Sequence, residues 1–116
     1  MRVAIPVHDG RVSPVFDAAR HLLVIRTRDR EVVARKELDV EDPGPYSRAH
    51  LVVGLGINVL ICGAISRQIE AMLASEGVTV IARRCGEVEE IVRAFLAGGL
   101  GQGAFLMPGV RGNRGG

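Results

Sequence analysis

The stretch INVLIC, residues 57–62, sets the tightest limit on what this chain can fold into. It is a nearly continuous apolar run between Gly56 and Gly63, with no alternation between a wet face and a dry one. Such a run reads as a central strand covered on both sides. The sequence supplies the covering helices. Ser66 is placed to cap a helix whose Ile69, Met72 and Leu73 keep helical spacing, and Gly77 follows as its end. VTVIA, residues 78–82, is a further short strand. In EVEEIVRAFLAGG, Val88, Ile91, Val92, Phe95 and Leu96 then fall at i, i+3, i+4, i+7 and i+8. Glutamates fill the first turn and Gly98 stands at the far end, which makes this the clearest helix in the chain.

Upstream, RVAIPV (2–7) reads as a first strand, with Pro6 confined to a strand end or bulge because it cannot donate to a ladder. Residues 8–20 read as a structured loop with one helical turn. HLLVIRT (21–27) and EVVARKEL (31–38) form a hairpin around the charged turn RDR. Arg35, Lys36 and Glu37 in succession suit an edge strand, because charge there discourages pairing with another chain. The segment VEDPGP is a linker into a helix over 46–55, in which Ala49, Val52 and Val53 share a face. The order β-β-β-α-β-α-β-α predicts an α/β fold: a three-layer mixed sheet with the first strand central, beside the strand at 57–62. Residues 1–98 form the domain. Residues 99–116 are a glycine-rich tail expected to be flexible, whose apolar island AFLM could dock back on the domain.

At 116 residues the chain can bury one core unaided. Its net charge of +2 argues against nucleic acid, and no apolar window is long enough to span a membrane. Two cysteines, without a secretory leader, point to free thiols and the cytoplasm. Of the fifteen basic residues only Lys36 is a lysine, a bias that a GC-rich genome produces without functional meaning.

In open α/β sheets, ligands bind at the carboxyl ends of strands. Three loops leave such ends: His8–Phe16, Cys62–Ser66 and Arg83–Gly86. Cys62 and Cys85 therefore fall on one rim, each just before a helix amino terminus, where the positive helix end favours anions and lowers a thiol's pKa. Gly63 and Gly86 follow them and permit close backbone approach, with Ala64 next to Gly63. His8, Arg11, Ser13 and Arg84 complete the candidate cradle, the arginines as counter-charges. The plainer reading makes Cys62 one more core residue, since free cysteine is among the most buried types. Glu87, Glu89 and Glu90 oppose a thiolate at Cys85. No C-x-x-C zinc pattern, P-loop or dinucleotide glycine fingerprint is present.

Four pieces in this order, RVAIPV, GRVSPVFDAAR, VLICGAIS and CGEVEEIVRAFLAGGL, resemble the dinitrogenase iron–molybdenum cofactor biosynthesis family, the NifX-like group that includes the carboxy-terminal domain of NifB. The resemblance covers about residues 1–107 together with FLMPG. It implies an RNase H-like fold with a mixed five-stranded sheet. It also implies a non-enzymatic role, that of binding, carrying or protecting an anionic metal–sulfur cluster that contains iron or molybdenum. Implied partners are cofactor-assembly or cluster donor and acceptor proteins, and the apolar composition also allows a homodimer. Val15 stands where many members carry a histidine, and Val110 where a cysteine often follows MPG. Thiolates suit such clusters, so Cys62 and Cys85 are the expected metal ligands. A thiol-redox enzyme using the two cysteines as a pair, and a scaffold domain with no ligand, are the alternatives.

Overall fold

A computed structural model of the chain describes residues 1–100 and 105–108. Its elements run β1 (Arg2–His8), β2 (Arg11–Val12), a 3-10 turn (Phe16–Ala18), β3 (His21–Arg28), β4 (Glu31–Asp39), α1 (Ser47–Gly54), β5 (Val59–Ile61), α2 (Arg67–Ser75), β6 (Thr79–Ile81) and α3 (Val88–Leu96). The sheet order is β4-β3-β1-β5-β6. β1 pairs antiparallel with β3 and parallel with β5; β5 pairs parallel with β6. This is the α/β mixed sheet expected from the sequence, with β1 in the middle. One strand is additional. Asp9 and Gly10 both take positive φ (50° and 75°) and fold Arg11–Val12 back on Val7–His8 as a two-residue strand.

Strand parity divides the core between the two faces of the sheet. Val3, Ile5, Leu23, Ile25, Val59 and Ile61 point to the side covered by Val88, Ile91 and Val92 of α3. Ala4, Leu22, Leu60 and Cys62 point the other way, toward Ala49 and Val52 of α1 and Ile69 and Leu73 of α2. Burying a side chain of this size contributes roughly 1.5–3 kcal/mol, so both faces hold the sheet between its helices. β5 is shorter than the apolar run that announces it, but Cys62 N–H still donates to Ile81 O (3.0 Å) and Thr79 N–H to Asn58 O (2.9 Å), extending the ladder at each end.

The β3–β4 turn is tight. Asp29 and Arg30 both adopt positive φ (53° and 64°), as a two-residue hairpin requires, without the glycine that usually relieves it. β4 is the edge strand and is exposed along most of its length. α2 has the expected cap, Ser66 Oγ accepting from Ile69 N–H (3.4 Å), and the expected Gly77 after its end, at φ 86°. The tail docks at its apolar island. Leu106 bridges Arg84 antiparallel, Cys85 N–H donates to Phe105 O (2.8 Å) and Met107 N–H to Arg83 O (3.0 Å). The expectation of a flexible tail falls largely on residues 101–104 and 109–116, which lie outside the described residues.

Candidate functional site

The three loops predicted to meet do meet, and backbone hydrogen bonds hold them together. Phe16 N–H donates to Ala64 O and Ala64 N–H to Pro14 O, both 2.8 Å, so the first two loops are zipped as a parallel bridge. Arg83 N–H reaches Gly63 O (2.8 Å) and Arg84 N–H reaches Cys62 O (2.9 Å), joining the second loop to the third. Val12 N–H donates to Gly86 O (3.0 Å) and closes the set.

The two glycines serve this convergence. A Cβ on Gly63 would lie 2.5 Å from Pro14 O and 2.7 Å from Ser13 O, so the close approach it permits is to the neighbouring loop. A Cβ on Gly86, which sits at φ 131°, would lie 3.3 Å from the ring of Phe105. Ala64 contributes through its backbone, and Ser13 is buried with its N–H on Pro6 O (2.8 Å).

The two cysteines lie in unlike surroundings. Cys62 is fully buried in the layer between the sheet and helices α1 and α2. Burial pushes its thiol up to about 12, with the Glu70 charge adding to the shift. A thiol so placed stays protonated near neutral pH and is closed to any guest in this conformation. Cys62, one of the two expected metal ligands, is carried by its strand parity under α2, in phase with Leu60, and not onto the rim. Cys85 is half-buried at the surface, with Sγ 3.5 Å from Leu106 O.

The remaining candidates separate. His8 is exposed, 3.3 Å from Asp9 through Nε2, and lines a groove of about 550 Å³ with His21, Glu37 and Val88 on the α3 side. That groove includes neither cysteine. Arg11 is exposed and bridges Glu87 through the backbone. Arg84 turns inward, donating to Ala82 O (2.8 Å) and Leu100 O (3.4 Å), with desolvation lowering its pKa. It fastens the start of the tail to the third loop. Two features escaped the sequence reading. Asp17, which looks isolated along the chain, accepts from Ser66 N–H (3.3 Å) at the amino end of α2 and offsets the helix's positive pole. Arg83 takes φ 61° and leans toward Glu70 of α2 (3.8 Å). A non-glycine residue at positive φ, so close before Cys85, is a sign of a shaped turn, and no sequence signal announces it. Among the described residues, no group of three or more His, Cys, Asp or Glu side chains gathers around a point that could hold a metal ion.

The fold and this rim define a small α/β protein with a mixed sheet whose strand-end loops converge on one edge. The chain belongs to the dinitrogenase iron–molybdenum cofactor family, whose model matches residues 1–98. It is 22% identical over 106 residues to the uncharacterized protein MJ0580 of Methanocaldococcus jannaschii, covering 86% of this chain and 89% of that one. Among solved structures it is similar to the crystal structure of PH0822, with TM-score 0.80 and 23% identity over 84% of this chain and 90% of that one. It is also similar to the apo form of the orange protein from Desulfovibrio gigas, with TM-score 0.72 and 23% identity over 84% and 88% of the two chains. At that identity, the structural likeness establishes the fold alone.

Proposed function

We propose that this protein binds an anionic metal–sulfur cluster, of iron–sulfur or molybdenum-containing type, and carries or protects it for cofactor-assembly proteins, without catalysing a reaction. The observation that carries the reading is the half-buried Cys85 thiol. It stands just beyond the end of β6 in a turn that also holds Arg83 and Gly86, where three loops meet, in a chain of this family. Thiolate sulfur suits soft metals such as iron, and a nearby guanidinium offsets a cluster's negative charge.

The donor set limits the mode of binding. With Cys62 closed, one chain offers a single accessible thiol among its described residues, too few to ligate a cluster by cysteine alone. The cargo is therefore held by one thiolate together with charge and backbone amides, or is shared between two copies of the chain. The thiol-redox alternative requires both sulfurs to react, and the burial of Cys62 weighs against it.

The test is anaerobic reconstitution with iron and sulfide, and separately with tetrathiomolybdate, followed by visible absorption and metal analysis. The parent protein and Cys62→Ala are expected to gain charge-transfer bands with the same stoichiometry, whereas Cys85→Ala loses them or binds more weakly. Bands unchanged in Cys85→Ala would remove the thiol from the site. No bands in any variant would remove the cargo.

A further inference from the structure

The end of the sheet opposite the loop rim carries a second feature, independent of the cluster proposal. Here the amino end of β1 lies beside the far end of β3, and Arg2 stands directly across from Arg26 in the antiparallel register. Like charges directly opposed on neighbouring strands destabilise a sheet. Lys36 of β4 pairs with Val24, two residues from Arg26, and so joins the same face.

This face holds a groove of about 390 Å³ lined by Arg2, Val24, Arg26, Ala34, Arg35 and Lys36. On the α3 side of the same sheet end, Arg26 also lines a groove of about 540 Å³, in which Arg28 and Arg30 accompany apolar Val33, Phe95 and Leu96. Of all the residues lining the two grooves, only Asp29 is acidic. Arg35 is committed to Glu89 (2.6 and 3.1 Å), and Arg2 rests one nitrogen on Leu55 O (3.5 Å). Arg26, Arg28, Arg30 and Lys36 are exposed and make no ion pair among the described residues.

We infer that this end of the sheet docks an acidic segment of a partner protein, one that alternates carboxylates with apolar side chains. Charge complementarity selects the carboxylates, and the exposed Val33 beside Phe95 and Leu96 supplies a floor for apolar anchors. A long polyanion such as nucleic acid fits less well, because a net charge of +2 gives the whole molecule little field to hold it. Pairing along the β4 edge fits less well too, because Arg35, Lys36 and Glu37 guard that edge against another strand. The like-charge pair Arg2–Arg26 costs the free protein stability and is relieved when carboxylates arrive.

Fluorescence anisotropy with a labelled glutamate-rich peptide containing interspersed leucines tests this on the intact chain. Binding is expected to weaken as salt rises and to fall about ten-fold in Arg26→Glu, while Arg67→Ala, which removes a charge from the solvent side of α2, leaves it unchanged. Because Arg26→Glu faces Arg2, its unfolding midpoint is expected to equal or exceed that of the parent, which separates lost binding from lost folding. The inference fails if the peptide does not bind, or if Arg26→Glu and Arg67→Ala bind it alike. It fails equally if single-stranded DNA or anionic vesicles bind better than the peptide, or if the grooves prove to be occupied by a second copy of the chain in solution.

Discussion

Cys62 and Cys85 are both followed by glycine and both precede a helix, yet the protein treats them oppositely. A run that is apolar on both faces does not reveal where the covering helix stops, so the sequence leaves Cys62 between core and rim. The structure resolves it through parity, with Ile61 facing α3 and Cys62 facing α1 and α2. Alkylation of the native protein with iodoacetamide near neutral pH is therefore expected to modify Cys85 alone. Cys62, its thiol raised to about 12 by burial, should react only when the chain unfolds. Peptide mass spectrometry distinguishes the two, and equal labelling under native conditions would contradict the placement of Cys62. Gly63 gives a second test at this scale. The sequence marks it as a place of close approach but cannot say to what. With Ser13 and Pro14 carbonyls 2.7 and 2.5 Å from the position of an added Cβ, Gly63→Ala must push the first loop aside. It is expected to destabilise the protein by about 2 kcal/mol or more, read as a lower urea midpoint.

Elements whose sequence periodicity reports their own burial were the legible ones. α3 carries its apolar stripe on every turn, and the β3–β4 hairpin carries its charged turn between two strand-like runs. Contacts between elements distant in sequence have no such periodicity. The Arg35–Glu89 pair, which ties edge strand β4 to the first turn of α3 across 54 residues, could not be read from either segment. Hydrogen bonding to Arg35 holds the Glu89 carboxyl below the usual carboxylate range. Its contribution is thus fully present above the ordinary glutamate pKa and is lost as pH falls through the depressed folded value. Both side chains are largely exposed (42% and 62%), so solvent screens the pair and Glu89→Gln should cost about 0.5 kcal/mol. Thermal melts across acid pH are expected to show the gap between parent and Glu89→Gln closing as the carboxyl protonates; a gap that widens in acid would reverse the sign. The tail's pairing is a similar case. The sequence shows four apolar residues, but not that Phe105 and Met107 bond the strand-like turn that holds Cys85. Phe105→Ala is expected to loosen that pairing and speed Cys85 alkylation without exposing Cys62.

For the molecule as a whole, connectivity carried most of the information. Right-handed crossovers between apolar strands leave few sheet orders open, and β1 in the centre with loops at one rim follows from them. What connectivity could not give is how the rim is charged. Asp17 sits on the amino end of α2, and Glu89 and Glu90 occupy the first turn of α3, so both helix poles that would attract an anion are already partly answered from within. If the rim holds a thiometallate chiefly by the remaining positive charge around Cys85, two consequences follow together. Tetrathiomolybdate at about a hundred times its dissociation constant should stabilise the fold by about 2.7 kcal/mol, and that gain should shrink as added salt screens the rim. Differential scanning calorimetry at two ionic strengths measures both. A stabilisation indifferent to salt but abolished by Cys85→Ala would mean that the sulfur, and not the surrounding charge, does the holding. Stabilisation that falls with salt and survives Cys85→Ala would mean the reverse, and the cluster would then be a passenger held by the shape and charge of three zipped loops.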